Sequence, residues 1–381
     1  MATNVVPMSS DLKRKAWMRE GLVQAASKSF WSPYTGTSRN AVVYQKNNSN
    51  AAEGHTVVFD FDGNLSGKAV RGKDTAYGKG EQKRKFSDKV TVDRFRLVVD
   101  NGDKFDAVDV GNLSTAEHAD SRAKLADLFI RWKDQMLFDT AQGFANNGQG
   151  ALTHSVQINA SSTKIGYDNL VMIEQALRTG TGFKTGTFGS STAASQRAPL
   201  SPYRLSNGRS VWLVIVGPYT AANMKANTTD AGIMKVMRDA DVRGPNNQAI
   251  RGVIGQIGQL VFVEAEAFFG YSTGAAFQDT EVEIAGLRQY DGAKWSGETG
   301  YTGAQYERCL ILGEGALMLP MGKMPDYKYQ VSTDFGIKSE SAVEFWTNCQ
   351  RVKMTAEHED YKQAKVAGLD FGLIALDVKV A

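Results

Sequence analysis

Two cysteines and four histidines among 381 residues leave little with which to build a metal centre or a disulfide framework. Cys309 sits in the apolar run Cys309-Leu310-Ile311-Leu312 and Cys349 follows Phe345 and Trp346, and neither has CxxC or Cys/His spacing around it. Free thiols in a reducing compartment are expected. His55, His118, His154 and His358 are scattered with no HExxH or paired-ligand spacing, so a zinc site is not indicated and surface positions are expected. Long apolar runs are also missing: none approaches the roughly 20 residues of a membrane span. The N-terminus lacks the apolar core of a secretory signal, so a soluble chain made in a cytoplasm is expected. Charge of one sign is not in excess, since 44 Lys plus Arg stand against 41 Asp plus Glu for a net +3. That balance excludes a global polycation, and any nucleic-acid contact must be local.

What is present is enough to fold. Hydrophobic residues make up 42% of the chain, in the range of globular proteins and sufficient for two core-forming units. The first 50 residues open with an amphipathic pattern over roughly Asp11 to Lys28 and then run polar through Asn47-Asn48-Ser49-Asn50. This stretch reads as an arm with little core of its own, mobile or ordered by a neighbour. Val57, Phe59 and Phe61 then alternate with Val58, Asp60 and Asp62, the period of a strand with one buried face. A second strand is expected over Lys89 to Val99, where the apolar parity changes and predicts a bulge or two shorter strands. Between them, Gly63 to Asp88 is a long polar loop carrying Lys68, Arg71, Lys73, Lys79, Lys83, Arg84 and Lys85. Connections longer than about 12 to 15 residues are uncommon in compact domains and tend to be functional or held by a partner.

The strongest helical pattern covers Thr115 to Ala141, with Ser114 and Glu117 at capping-box spacing and Gly143 placed as terminator. Leu125, Leu128, Phe129, Trp132 and Met136 recur at three and four residues and are assigned to core, while Asp120, Arg122, Lys124, Asp127, Arg131, Lys133 and Asp134 supply polar positions. At about 1.5 Å per residue such a helix is a strut of roughly 40 Å. A second helix is expected over Asp168 to Arg178, closed by Gly180, and a loop or domain boundary over Thr179 to Ala194. Strands are expected at Val211–Val216, Leu260–Glu264, Tyr306–Leu312, Tyr327–Ser332, Ala342–Met354 and Phe371–Val380, with a helix between Tyr219 and Asn227. Strands and helices mix without a βαβ period, which gives an α+β class.

Several motifs resemble chemistry they do not complete. Val57-Val58-Phe59-Asp60-Phe61-Asp62-Gly63-Asn64 is similar to the first motif of haloacid-dehalogenase-type phosphatases, with Asp60 as nucleophile and Asp62 as acid/base. The later Ser/Thr, Lys and acidic pair of that family have no counterpart here, and a turn closing a strand is the alternative reading. An EF-hand is excluded by Leu65 and Arg71, where glycine and glutamate are required. Gly252, Gly255 and Gly258 lack GxGxxG spacing and Gly182 to Thr187 lacks the GK[ST] ending, so turn glycines are expected. The basic loop is interrupted or flanked by Asp74, Glu81 and Asp88 and holds only Tyr77 and Phe86 as aromatics, a poor single-strand binding pattern.

Taken in order, the parts resemble the major capsid proteins of the N4-type podophage group, a branch of the Hong Kong 97 coat-protein fold. The resemblance lies in Thr56-Val57-Val58-Phe59 through Gly63-Asn64-Leu65-Ser66-Gly67, then Gly72-Lys73-Asp74 and Gly80-Glu81, then Val90 to Arg96. It continues through Leu125-Ala126-Asp127 and Trp132-Lys133-Asp134 to Gly143, and through Asp334-Phe335-Gly336-Ile337-Lys338 to the closing Asp370-Phe371-Gly372-Leu373-Ile374-Ala375-Leu376-Asp377. It implies an N-terminal arm at 1–50, an extended E-loop at 51–100 with the basic residues above as intersubunit candidates, a peripheral domain with the spine helix at 101–204, an axial domain at 205–325 and peripheral return strands at 326–381. It further implies no catalytic, cofactor or metal residues. The implied partners are copies of the same chain in hexamers and pentamers, scaffold, portal and cement proteins, and packaged double-stranded DNA on the inner face of a virion capsid assembled in the host cytoplasm, with no membrane.

Overall fold

The computed structural model describes residues 29–380 apart from 49, 63–66, 82–84, 104–112, 145–148, 150–151, 160–164, 186–191, 194–196, 198, 206–207, 228–252, 273–279, 324, 332–337 and 354–367. The expected helix at 11–28 and the expected N-terminal half of the arm lie outside the described residues. In chain order the main elements begin with β1 (Val43–Asn47), β2 (Thr56–Asp62), β3 (Lys85–Thr91), β4 (Asp93–Asp103) and α1 (Leu113–Gln142). There follow β5 (Ser155–Asn159), α2 (Tyr167–Thr179), β6 (Ser210–Val216), α3 (Pro218–Ala226), β7 (Val253–Ile257), β8 (Leu260–Glu264), β9 (Phe269–Ser272) and β10 (Thr280–Ile284). The last are β11 (Tyr306–Leu312), β12 (Leu317–Met321), β13 (Asp326–Val331), β14 (Lys338–Thr347) and β15 (Leu373–Lys379).

A sheet ordered β7-β8-β6-β11-β15-β5 forms one layer. Its central strands hold the apolar runs Val211–Val216, Leu260–Val263, Cys309–Leu312 and Leu373–Leu376 because both faces are covered there. Leu213, Ile215, Val261, Val263, Leu310 and Leu312 face the core built on α1. Trp212, Val214, Val216, Phe262, Ile311, Ile374 and Leu376 face a second core with α2 and α3. A second sheet runs β1-β12-β14-β13, with β4 also paired to β14. The change of parity near Val92 is a real break: β3 ends at Thr91 and pairs with β2, while β4 starts at Asp93 and pairs with β14. The pairing cuts across the expected boundary at 325/326, since β12 lies in the sheet of β13 and β14 while β15 lies between β11 and β5.

Helix α1 has 30 residues, about 45 Å at 1.5 Å per residue, and starts at Leu113, so Ser114 is its second residue rather than its N-cap. Gly143 follows it at φ 78°, a left-handed conformation that glycine takes without steric cost. Leu125, Phe129, Trp132 and Met136 are buried as expected, and Leu128 is half-buried. Phe345 of β14 meets Phe129 at 4.6 Å and Trp132 at 5.1 Å between ring centroids.

Two expectations require correction. The arm is not coreless throughout: Trp31, Tyr34, Val42 and Val43 are buried in the main core, and β1 runs parallel to β12 from Val43↔Leu317 to Asn47↔Met321. Its partner strand lies some 270 positions downstream, so no local pattern announces it. Asp134, read as a polar outer position, is buried and anchors the arm instead, accepting hydrogen bonds from Ser29 Oγ and the Phe30 amide at 2.7 Å each. The reason is enclosure: from Asp134 to Gln142 every residue of α1 is buried, so polar side chains there must find partners inside.

They do so on Arg288, which is itself wholly buried. Asp139 accepts from Arg288 Nε at 2.6 Å and Nη2 at 3.0 Å, a bidentate pair with both side chains at 0% exposure. The guanidinium lies 4.0 Å from the Phe144 ring centroid and 4.1 Å from that of Phe268, and donates to Ser296 O at 2.7 Å. Gln142 accepts from the Arg288 amide at 2.8 Å and donates to the carbonyls of Arg288 and Arg308 at 2.9 Å each. Arg308 pairs with Asp377 across β11 and β15 at 2.8 and 3.0 Å.

Removing one member of a buried ion pair strands the other charge. Arg288→Met is expected to cost about 3–5 kcal/mol in denaturant unfolding, with Asp139→Leu on the same chain recovering most of it; a loss under about 1 kcal/mol for the single variant contradicts the assignment. Phe345→Ala is expected to cost about 3–5 kcal/mol by the same measurement, since the aromatic cluster leaves a cavity that the helix cannot collapse into.

Candidate functional site

Two surfaces stand out. The first is the β2–β3 hairpin, paired antiparallel from Thr56↔Thr91 to Asp62↔Lys85. Its period-two pattern is realised: Val57, Phe59 and Phe61 are buried while Val58 is exposed. The buried row packs on the body, with Tyr44 5.1 Å from Phe59 and 6.0 Å from Phe61 between ring centroids. Phe86 joins the same cluster, which removes it as a stacking platform. Strand β3 also begins earlier than expected, at Lys85. Polar clamps reinforce the stem, where the Lys353 amide donates to Asp88 at 3.0 Å and Lys46 Nζ donates to the Val58 carbonyl at 2.8 Å.

Beyond the stem the character reverses. From Gly67 to Glu81 no regular element forms, and all residues but Val70 and Glu81 are exposed. Lys68, Arg71, Lys73 and Lys79 all lie on this tip, with Tyr77 at 95% exposure between them. Lys83 and Arg84 lie outside the described residues, as does the side chain of Lys85. The hairpin thus carries the described basic candidates together on one exposed loop.

The second surface is a groove of about 1070 Å³ between the start of α3, the β9–β10 hairpin and the loop 291–304. Ala222, Ala265, Ala267, Phe268, Phe269 and Ile284 supply its apolar lining, with Glu264 and Glu266 among its polar members. Phe269 and Tyr219 remain 57% and 50% exposed. The loop wall is held by Asp291, which accepts from the amides of Ala293, Lys294 and Thr302 at 2.8, 2.6 and 2.9 Å. Those backbone donors, that of Lys294 foremost, draw its carboxyl down to about 2. Burial pushes the Tyr301 hydroxyl up to about 12. Behind the groove, burial raises the Glu307 carboxyl although the Thr220 amide donates to it at 2.7 Å. Gly217 permits that approach, because a Cβ there would lie 2.0 Å from Glu307 Oε1.

The catalytic lookalike dissolves in this geometry. Asp60 lies on one strand of a two-stranded antiparallel ribbon, not at the end of a parallel sheet, and is bound by Arg39 at 2.5 Å and Lys46 at 3.5 Å. Burial favours its neutral form, but the two cations outweigh it and hold the carboxyl below its usual range. The side chain of Asp62 lies outside the described residues. Among the described residues no group of three His, Cys, Asp or Glu is placed to hold a metal ion. His55 is exposed, but His154 is buried 6.0 Å from the Phe183 ring, contrary to the surface position expected. Both cysteines are free and buried, and burial lifts the Cys349 thiol to about 12. Gly258 turns at φ 59°, whereas Gly255 lies inside β7 at a register shift rather than in a turn.

The buried Asp139, Gln142, Arg288 and Arg308 were not singled out by sequence reasoning. Asp377 was, but only as part of a resemblance. A local signal existed for Asp139 and Asp377, each a charged residue close to apolar neighbours in Met136-Leu137-Phe138-Asp139 and Leu373-Ile374-Ala375-Leu376-Asp377.

A model of the phage capsid protein family matches residues 6–189. No curated protein matches the chain. Among solved structures, the capsid of Ralstonia phage GP4 is similar at 18% identity and TM-score 0.61, covering 93% of this chain and 91% of that one. The head structure of Helicobacter pylori bacteriophage KHP40 is similar at 13% identity and TM-score 0.64, covering 100% and 94%. The Cyanophage Pam1 capsid asymmetric unit is similar at 13% identity and TM-score 0.53, covering 100% and 96%. The chain therefore has the α+β, Hong Kong 97-type fold of phage capsid subunits, as its sequence led one to expect.

Proposed function

We infer that this chain is the major capsid protein of a tailed double-stranded-DNA phage, a structural subunit that packs against copies of itself to form the icosahedral head. The observation that carries this reading is the divided hairpin. Its stem is completed by its own chain, whereas its tip is exposed almost throughout and projects a basic, aromatic loop. Such a loop gains nothing for a lone subunit. Between subunits it adds contact area, and stable interfaces need about 800 Å² from each partner. The capsid-family match and the shared fold support the same conclusion.

The parts then acquire roles. Residues 1–50 form the N-terminal arm, whose second half is sewn into the body by β1. Residues 51–100 form the E-loop, with Lys68, Arg71, Lys73, Lys79, Lys83, Arg84 and Lys85 offered to a neighbour. Helix α1 is the spine of the peripheral domain at 101–204, residues 205–325 contribute the axial domain apart from β12, which pairs with β1 and β14, and 326–381 return to the peripheral domain apart from β15, which pairs with β11 and β5. Hexamers and pentamers are the assembling units, with scaffold, portal and cement proteins as further partners and DNA against the inner face. The motif order from Thr56 to Asp377 supports a place in the N4-type branch. Subunits assemble in the host cytoplasm and end in the virion capsid. No chemical step is involved; the work is done by packing.

Expression of the full chain, alone or with co-expressed head proteins of a related phage, is expected to give capsomers or closed particles in negative-stain electron microscopy. A chain that stays monomeric under every assembly condition contradicts the reading.

A further inference from the structure

The hairpin tip and the groove are both uncovered in the single chain, and their chemistry is complementary. From Gly67 to Glu81 the tip carries four Lys or Arg, Lys68, Arg71, Lys73 and Lys79, against two acidic residues, Asp74 and Glu81. Tyr77 is 95% exposed, with Lys73 and Lys79 on either side of it in the sequence. The groove has an apolar floor, two carboxylates and no Lys or Arg in its lining. Glu264 is already bound by Lys225 at 2.8 Å, but exposed Glu266 has no ion-pair partner among the described residues. Its volume of about 1070 Å³ accommodates an aromatic side chain with its neighbours. An amphipathic ring flanked by cations suits an apolar slot rimmed by carboxylates, with the ring supplying burial and the charges supplying register.

We infer that the tip of one copy docks in the groove of a second copy, with Tyr77 seated on the apolar floor and the flanking lysines facing Glu266. This rests on the coat-subunit reading and names the surface that receives the loop. Occupation by a second copy also accounts for the exposure of Tyr219 and Phe269, which otherwise leave apolar surface in water.

The test replaces Tyr77 with photoreactive benzoylphenylalanine in the full chain. Isotope-labelled and unlabelled subunits are mixed, assembled into particles and irradiated, and the cross-linked peptides are mapped by mass spectrometry. Links joining position 77 to residues 264–270 or 296–304 of a differently labelled copy are expected. Links within one chain, or to any other surface including residues 1–28 of a neighbour, overturn the docking while the particles themselves uphold the coat reading. A wild-type chain that never forms particles overturns that reading and this inference with it. As a second measurement, Glu266→Lys is expected to raise the concentration needed for assembly about tenfold, and Lys73→Glu on the same chain to restore it. Assembly indifferent to both changes contradicts the proposed register.

Discussion

A guanidinium wholly removed from water is tolerable only where every face of it is answered, and the interior of this chain meets that condition for Arg288. Asp139 of α1 takes its edge, Phe144 and Phe268 take its two faces, and the Ser296 carbonyl takes a remaining donor. Each partner comes from a different place in the chain. Helix α1, the turn after it, the segment leading into β9 and the loop 291–304 are thereby fixed relative to one charge. Neighbouring pairs extend the constraint, with Gln142 joining the Arg288 and Arg308 backbones and Asp377 holding Arg308.

The consequence is a body whose surfaces are set by its interior. Phe268 stacks on Arg288 from below and lines the groove above, so the groove floor inherits its position from the buried pair. The hairpin stem is fixed separately, by Tyr44 of β1 against Phe59 and Phe61, and β1 is in turn held by β12. Within the described hairpin, residues 67–81 lie outside both systems.

Much of this architecture was legible where the signal is local. The Leu125 to Met136 stripe, the glycine stop at 143, the alternation at Val57 to Phe61 and the parity change near Val92 each report a backbone geometry within a few residues. The tip was legible as a loop too long to be idle. What stayed hidden depends on pairings distant in sequence: β1 with β12, Asp134 with the start of the arm, and Asp139 with Arg288 across 149 positions. Asp134 shows the limit most clearly, since a helical period assigns a carboxylate to the outer face and cannot register that another segment covers it. The groove was invisible for the same reason, since the helix expected between Tyr219 and Asn227 gives no sign of the two hairpin strands and the loop that meet it.

On the inference drawn above, the body is complete within one chain while residues 67–81 are completed by another. Hydrogen exchange measured on free subunits and on assembled particles tests that division directly. Slow exchange over 125–142 in both states, with rapid exchange over 67–81 that slows only on assembly, is the predicted result. A tip already protected in the free subunit, or still unprotected in the particle, contradicts it.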